Sequence, residues 1–139
     1  MSIEENKDTI RRMFKAQLAN DMVTYRQILA DDLKWEIMQV GIDQPRGKEE
    51  MIAMLQLVHK SLGGGKWDKQ VVSMVGEGDR LAVEATATME LRNGSLYDQR
   101  YHYVYVFRNG QVVAVKEYCD TLNAANAFKG LPPVAEAPK

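Results

Sequence analysis

The side chains best placed to do chemistry in this sequence are Glu117, His102 and Arg100, which lie in two β-rich runs on either side of Asn109-Gly110. An Asn-Gly pair between such runs predicts a two-residue hairpin, because both central residues can take positive φ. Stepping back from that turn pairs Arg108 with Gln111, Val106 with Val113, Val104 with Val115, His102 with Glu117, and Arg100 with Cys119. Strand side chains alternate, so the last eight of these share one face, and Tyr101, Tyr103, Tyr105, Phe107 and Tyr118 share the other.

The first face combines valines with three polar groups, the mixture of an apolar pocket with a few converging polar side chains. A carboxylate opposite an imidazole suits acid/base work. Glu117 would orient the His102 ring and raise its pKa, burial would lower it, and either group could then move a proton near neutral pH. The same pair also fits an ordinary cross-strand contact worth roughly 0.2–1 kcal/mol. Arg100 could bind an anionic group or polarise a carbonyl; it could equally pair with Asp98 or Glu84 in solvent. The opposite, aromatic face would be costly to leave in water, which points to a dimer surface.

Other side chains are less suggestive. Cys119 has no triad and reads as a small apolar filler that can line the pocket. Trp35, Phe14 and Met13 either line a cavity or are plain core. Ile37 shares a strand face with Trp35, Met54 belongs to an apolar helical stripe, and Ala85 is a small residue that would leave room in a pocket; with Val104 these complete the candidate ligand-contacting set. His59 is the one other histidine, so no two-histidine metal motif arises, and neither a metal nor another cofactor is expected. There is no dinucleotide fingerprint and no serine elbow, and Gly63-Gly64-Gly65 lacks the Lys-Ser/Thr of a phosphate loop.

The elements that must position these residues follow from periodicity. Ser2 and Glu5 form a capping box ahead of Ile10, Met13, Phe14 and Leu18, which predicts a helix over residues 3–19. Asp21 caps a shorter helix with Val23, Ile28 and Leu29 facing inward, ending at Asp31-Asp32, which read as turn and cap residues. A strand over 33–38 is followed by a loop and a third helix from Lys48 that stops at the triple glycine. Gly78-Asp79, Asn93-Gly94 and Asn109-Gly110 then divide the remainder into four hairpin-linked strands, with a last short helix over 122–128. This is an α+β domain over 1–130, with helices covering one face of a curved sheet, and a Pro/Ala-rich flexible tail over 131–139.

Composition sets the outer limits. The chain has 139 residues, 45% hydrophobic and 27% charged, with a net charge of −1. One domain of this size buries a core without staples, and near-neutral charge gives no broad attraction to nucleic acid or anionic membrane. A single cysteine, no basic-then-apolar leader pattern and no long apolar run predict a soluble, cytoplasmic protein.

Several segments together resemble the nuclear transport factor 2-like superfamily, and within it the SnoaL-like, polyketide cyclase-like group, over about residues 5–128. They are Ile28-Leu29-Ala30-Asp31-Asp32-Leu33-Lys34-Trp35-Glu36, Arg46-Gly47-Lys48-Glu49-Glu50-Met51-Ile52, Tyr97-Asp98-Gln99-Arg100-Tyr101, and Phe107-Arg108-Asn109-Gly110-Gln111-Val112-Val113 leading into Glu117-Tyr118-Cys119-Asp120-Thr121. The resemblance implies a cone-shaped α+β domain with three N-terminal helices packed on the concave sheet face, a pocket between sheet and helices, and a homodimer formed through the sheet. It also implies acid/base roles for Glu117 and His102, with Arg100 as a further polar pocket residue. Steroid isomerases of the superfamily use a carboxylate and a tyrosine where this chain has Ile37 and Met13 or Phe14, and epoxide hydrolases an Arg and an Asp where it has Ala85 and Ala87.

The expected function is a cofactor-free isomerase, cyclase or dehydratase (lyase) acting on a hydrophobic, carbonyl-containing small molecule. Glu117 would be the base, His102 its partner acid and Arg100 the orienting group. The competing expectation is a small-molecule binding or dimeric interaction module of the same fold.

Overall fold

Residues 1–128 are described by the structure, a computed structural model; the tail expected over 131–139 lies outside them. Helix α1 (Ile3–Leu18) starts at the expected capping box, with Ser2 N–H donating to Glu5 Oε1 and Glu5 N–H to Ser2 Oγ, each at 3.1 Å. Its buried Ile10, Met13 and Phe14 recur at helical spacing. In α2 (Met22–Ile28) Asp21 accepts from the Thr24 N–H, and the inward residues are Tyr25 and Ile28. Val23, expected inward, is exposed, and Leu29 already belongs to β1 (Leu29–Ile37). That strand begins earlier than the sequence suggested. It places Asp31 and Asp32 on exposed strand positions, where they pair with Lys48 and Arg108.

Helix α3 (Lys48–Ser61) leads directly into β2 (Leu62–Glu77), which contains the triple glycine expected to form a stop after the helix. The reason is contact. A Cβ on Gly63 would stand 2.5 Å from the Leu91 carbonyl oxygen, so glycine lets β2 close against the end of β3 (Arg80–Leu91). Strands β4 (Leu96–Arg108) and β5 (Gln111–Cys119) and helix α4 (Thr121–Phe128) complete the chain.

The five-stranded mixed sheet runs β1-β5-β4-β3-β2, with β1 parallel to β5 and every other pair antiparallel. The α+β class is as expected, with three helices ahead of β2 and the fourth, short one after β5. One sheet face packs against α1, α2 and α3 in a core that includes Phe14, Tyr25, Leu55, Val83, Tyr105 and Val115. No helix among the described residues is long and apolar enough to cross a membrane.

The last hairpin departs from the expected register, and the departure decides which residues meet the core. Asn109 and Gly110 both have positive φ, and Arg108 opposes Gln111 as the turn requires. Phe107 then opposes Val112 but Val106 opposes Ala114, which leaves Val113 as the extra residue of a β-bulge. From there every pair is shifted by one: Tyr105 with Val115, Tyr103 with Glu117, His102 with Tyr118, Tyr101 with Cys119. The His102–Glu117 and Arg100–Cys119 pairings therefore do not form. The aromatic face expected at a dimer surface is instead the inner face, with Tyr103, Tyr105 and Phe107 buried.

Candidate functional site

A cavity of about 310 Å³ opens between the inner sheet face and the helices. Met51, Met54, Leu55 and Val58 of α3 form one wall, Trp35 and Ile37 of β1 another, and Tyr101 and Tyr103 of β4 the sheet side. Into these apolar surroundings the fold brings Glu117, Lys69, Gln17 and Arg46.

Glu117 lies on β5 between β1 and β4, with Ile37 and Tyr103 as its strand partners. The Trp35 indole N–H donates to its Oε1 at 3.0 Å. Burial holds the carboxyl above the usual carboxylate range, while Lys69, the Trp35 hydrogen bond and Arg46 pull the other way. Lys69, on the inward face of β2, is buried and donates from Nζ to Gln17 Oε1 at 3.1 Å. Its Nζ stands 4.1 Å from the centroid of the Phe14 ring and 4.9 Å from that of Tyr103. Burial lowers its pKa to about 8, against an opposing pull from Glu117. The surrounding Tyr101 and Tyr103 phenols are pushed up, chiefly by burial, and stay neutral.

Of the expected residues, Glu117, Trp35, Ile37, Met54 and Cys119 do line the cavity. Met13 and Ala85 are fully buried core residues, and Phe14 meets the site through its ring, against Lys69 and edge-on to Tyr103. Val104 and His102 oppose Lys116 and Tyr118, away from the cavity, and His102 is exposed. Arg100 is exposed too, and pairs with Asp98 at 2.5 Å. Both residues border a shallow groove with Glu84 and Thr86 on the outer sheet face. The bulge at Val113 explains the separation: it turns Glu117 inward while His102 and Arg100 stay outward.

Lys69 is the residue the sequence reading missed. Its signal was present in Trp67-Asp68-Lys69-Gln70-Val71, where a lysine takes the inward position between two apolar residues of a two-residue period. Trp67 also lines the cavity, and its indole N–H has no hydrogen-bond partner among the described residues, which leaves a buried donor for a ligand oxygen.

The buried amine makes a stability prediction. Folded Lys69 releases its proton near pH 8 and an ordinary lysine near 10.5, so the unfolded chain binds more protons between those values and stability rises with pH across the window. Glu117 acts oppositely: its contribution is present below the ordinary 4.5 and is lost as pH climbs through its raised folded value. Urea denaturation at pH 8.0 and 9.5 is expected to show wild type gaining about 1.5 kcal/mol more than Lys69→Met. Equal pH dependence in the two proteins would mean that Lys69 is not desolvated in the folded chain.

A search of the curated proteins finds no match to this sequence. Solved structures share the fold. One is described as a candidate SnoaL-like polyketide cyclase from Jannaschia, 20% identical, with a TM-score of 0.76 and coverage of 95% of this chain and 98% of that one. An NTF2-like protein of unknown function from Burkholderia pseudomallei is 22% identical with a TM-score of 0.78, covering 94% and 100%. TerC, co-crystallised with polyporic acid, is 16% identical with a TM-score of 0.76, covering 91% and 99%. The family model described as the SnoaL-like domain matches residues 10–115, most of the folded chain from α1 into β5. By that match the chain belongs to the SnoaL-like domain family.

Proposed function

We propose that this protein is a cofactor-free acid/base enzyme for a hydrophobic, carbonyl-containing small molecule, of the isomerase, cyclase or dehydratase type. The observation that carries the reading is Glu117: a carboxylate turned into a largely apolar cavity and aimed by the Trp35 N–H. A carboxylate in such surroundings carries a desolvation cost that the Trp35 hydrogen bond only partly offsets, whereas a base with a raised pKa is matched to proton removal.

In this reading Glu117 takes a proton from the carbon beside the ligand carbonyl, and the Lys69 ammonium stabilises the enolate oxygen as charge develops. Glu117 then returns the proton, at the same or a neighbouring atom. Lys69 fills the role that the sequence assigned to His102, and the Trp67 N–H offers a second donor to the ligand. The structural relative described as a candidate polyketide cyclase, and the one crystallised with polyporic acid, are consistent with a ring-bearing ligand.

A thermal-shift screen of hydrophobic ketones, polyketide-like aromatics, sterols and epoxides tests the proposal, because a ligand that binds the folded state raises Tm. The expected result is a ketone or polycyclic hit that wild type converts to an isomer, cyclised or dehydrated product by mass spectrometry. Hits that bind tightly and emerge unchanged would instead make the cavity a binding site without chemistry.

A further inference from the structure

We propose that Lys69 forms an imine with the carbonyl group of the ligand in the central cavity. Among the described residues its Nζ makes one hydrogen bond, to Gln17 Oε1, and no ion pair; its other neighbours include the ring faces of Phe14, Tyr103 and Tyr101, the last at 5.7 Å. A lysine held only as a structural cation would be expected to meet a carboxylate, because an unpaired buried charge is costly. Glu117 lines the same cavity without pairing with it, so the amine and a proton-transfer group face one shared space. The other titratable groups lining that space are Arg46 from the segment before α3, Tyr25 from α2, Cys119 from β5, and Tyr97, Tyr101 and Tyr103 from β4. Near pH 8 burial leaves a substantial fraction of the amine neutral, the form that attacks a carbonyl.

The chemistry balances without a further reactant. The neutral Nζ adds its lone pair to the carbonyl carbon, and a proton passes from nitrogen to oxygen to give a carbinolamine. The C–O bond then breaks, the oxygen leaves as water, and a C=N bond remains. Glu117 supplies and recovers the protons for these steps. The protonated imine draws electrons more strongly than the parent carbonyl and acidifies the carbon next to it. This deepens the acid/base reading of the same cavity and rests on it for the role of Glu117; the imine nitrogen takes the place of the free Lys69 ammonium, and the covalent bond is read separately.

The test uses acetaldehyde, benzaldehyde and 2-naphthaldehyde as probes of increasing size, each with sodium cyanoborohydride at pH 7.5, followed by peptide mapping. At that pH an amine of pKa about 8 is neutral roughly 200 times more often than an ordinary lysine. The expected result is a reduced adduct on Lys69 at least about tenfold above that on any other lysine, since lower basicity also blunts nucleophilicity. Adducts spread over exposed lysines, with Lys69 unmodified by all three probes, would overturn the proposal, and this readout needs no substitution. Once a substrate is in hand, Glu117→Gln separates the two ideas. A Lys69 adduct together with turnover that ignores Glu117→Gln supports the imine and removes the acid/base assignment. Turnover that depends on Glu117 and persists in Lys69→Arg, which keeps the cation but cannot form the imine, removes the imine and keeps the base.

Discussion

Glu117→Gln is expected to lower kcat on the carbonyl substrate by about 10² to 10⁴-fold while the protein stays folded. Glutamine keeps the shape of the side chain and an oxygen to accept the Trp35 N–H, so the packing around β5 survives; what is lost is the capacity to take a proton. Thermal melts of the variant should therefore show a cooperative transition. His102→Ala and Arg100→Ala supply the controls, since both side chains face outward and should leave kcat near wild type. A Glu117→Gln protein with unchanged kcat, or a His102→Ala protein that loses as much, would defeat the assignment. The pH profile adds an independent check. Because Glu117 must be ionised to act and burial raises its pKa, the acid limb of kcat/KM should lie above the ordinary carboxylate value of 4.5.

Trp35 carries the second large effect, on stability and chemistry together. It is 2% exposed, with its ring set edge-on to Tyr103 and Tyr105, both at 6.3 Å. Truncation to alanine should cost about 3–5 kcal/mol, a large fraction of what a small domain has to spare. Trp35→Phe keeps most of the ring and should cost less, but it removes the donor that favours the ionised form of Glu117. In that variant the acid limb of kcat/KM should move up in pH. An unmoved limb would show that the indole N–H does not set the carboxylate's protonation, and a Trp35→Ala protein as stable as wild type would place the ring outside the core.

Much of the fold was legible because local rules and the global arrangement agree. Ser2 and Glu5 announced α1, Asp21 announced α2, and Asn109-Gly110 fixed the closing pair of the last hairpin. The site was half legible for an equally physical reason. Turn chemistry sets register only until something interrupts the ladder, and no single residue type declares a bulge. A conflict in the pattern did exist. The straight register sets Lys116 among the aromatic residues Tyr101, Tyr103 and Tyr105, and Val115 with the charged Arg100 and with His102. Sliding β5 by one residue places Val115 inside and Lys116 outside, as the structure has them. Glu117, Trp35, Ile37, Met54 and Cys119 were read as pocket residues and line the cavity. Lys69 was overlooked because its strand stands two places away from β4 in the sheet, and only the topology brings it to the cavity that Glu117 lines.

The unpaired Val113 has a consequence for comparing this chain with others of its shape. Distance along the chain from the Asn109-Gly110 turn does not tell which side of the sheet a residue serves, because one position in that count has no partner. In a hairpin without the extra residue, a carboxylate that lines the cavity must sit one position nearer the turn, and a residue at the position of Glu117 would look outward. Two such chains aligned by spacing alone would set a cavity-lining residue against a surface residue. A single inserted or deleted amino acid in this arm is thus enough to exchange the interior for the exterior, a route by which one scaffold can acquire or lose a reactive group with no side chain substituted.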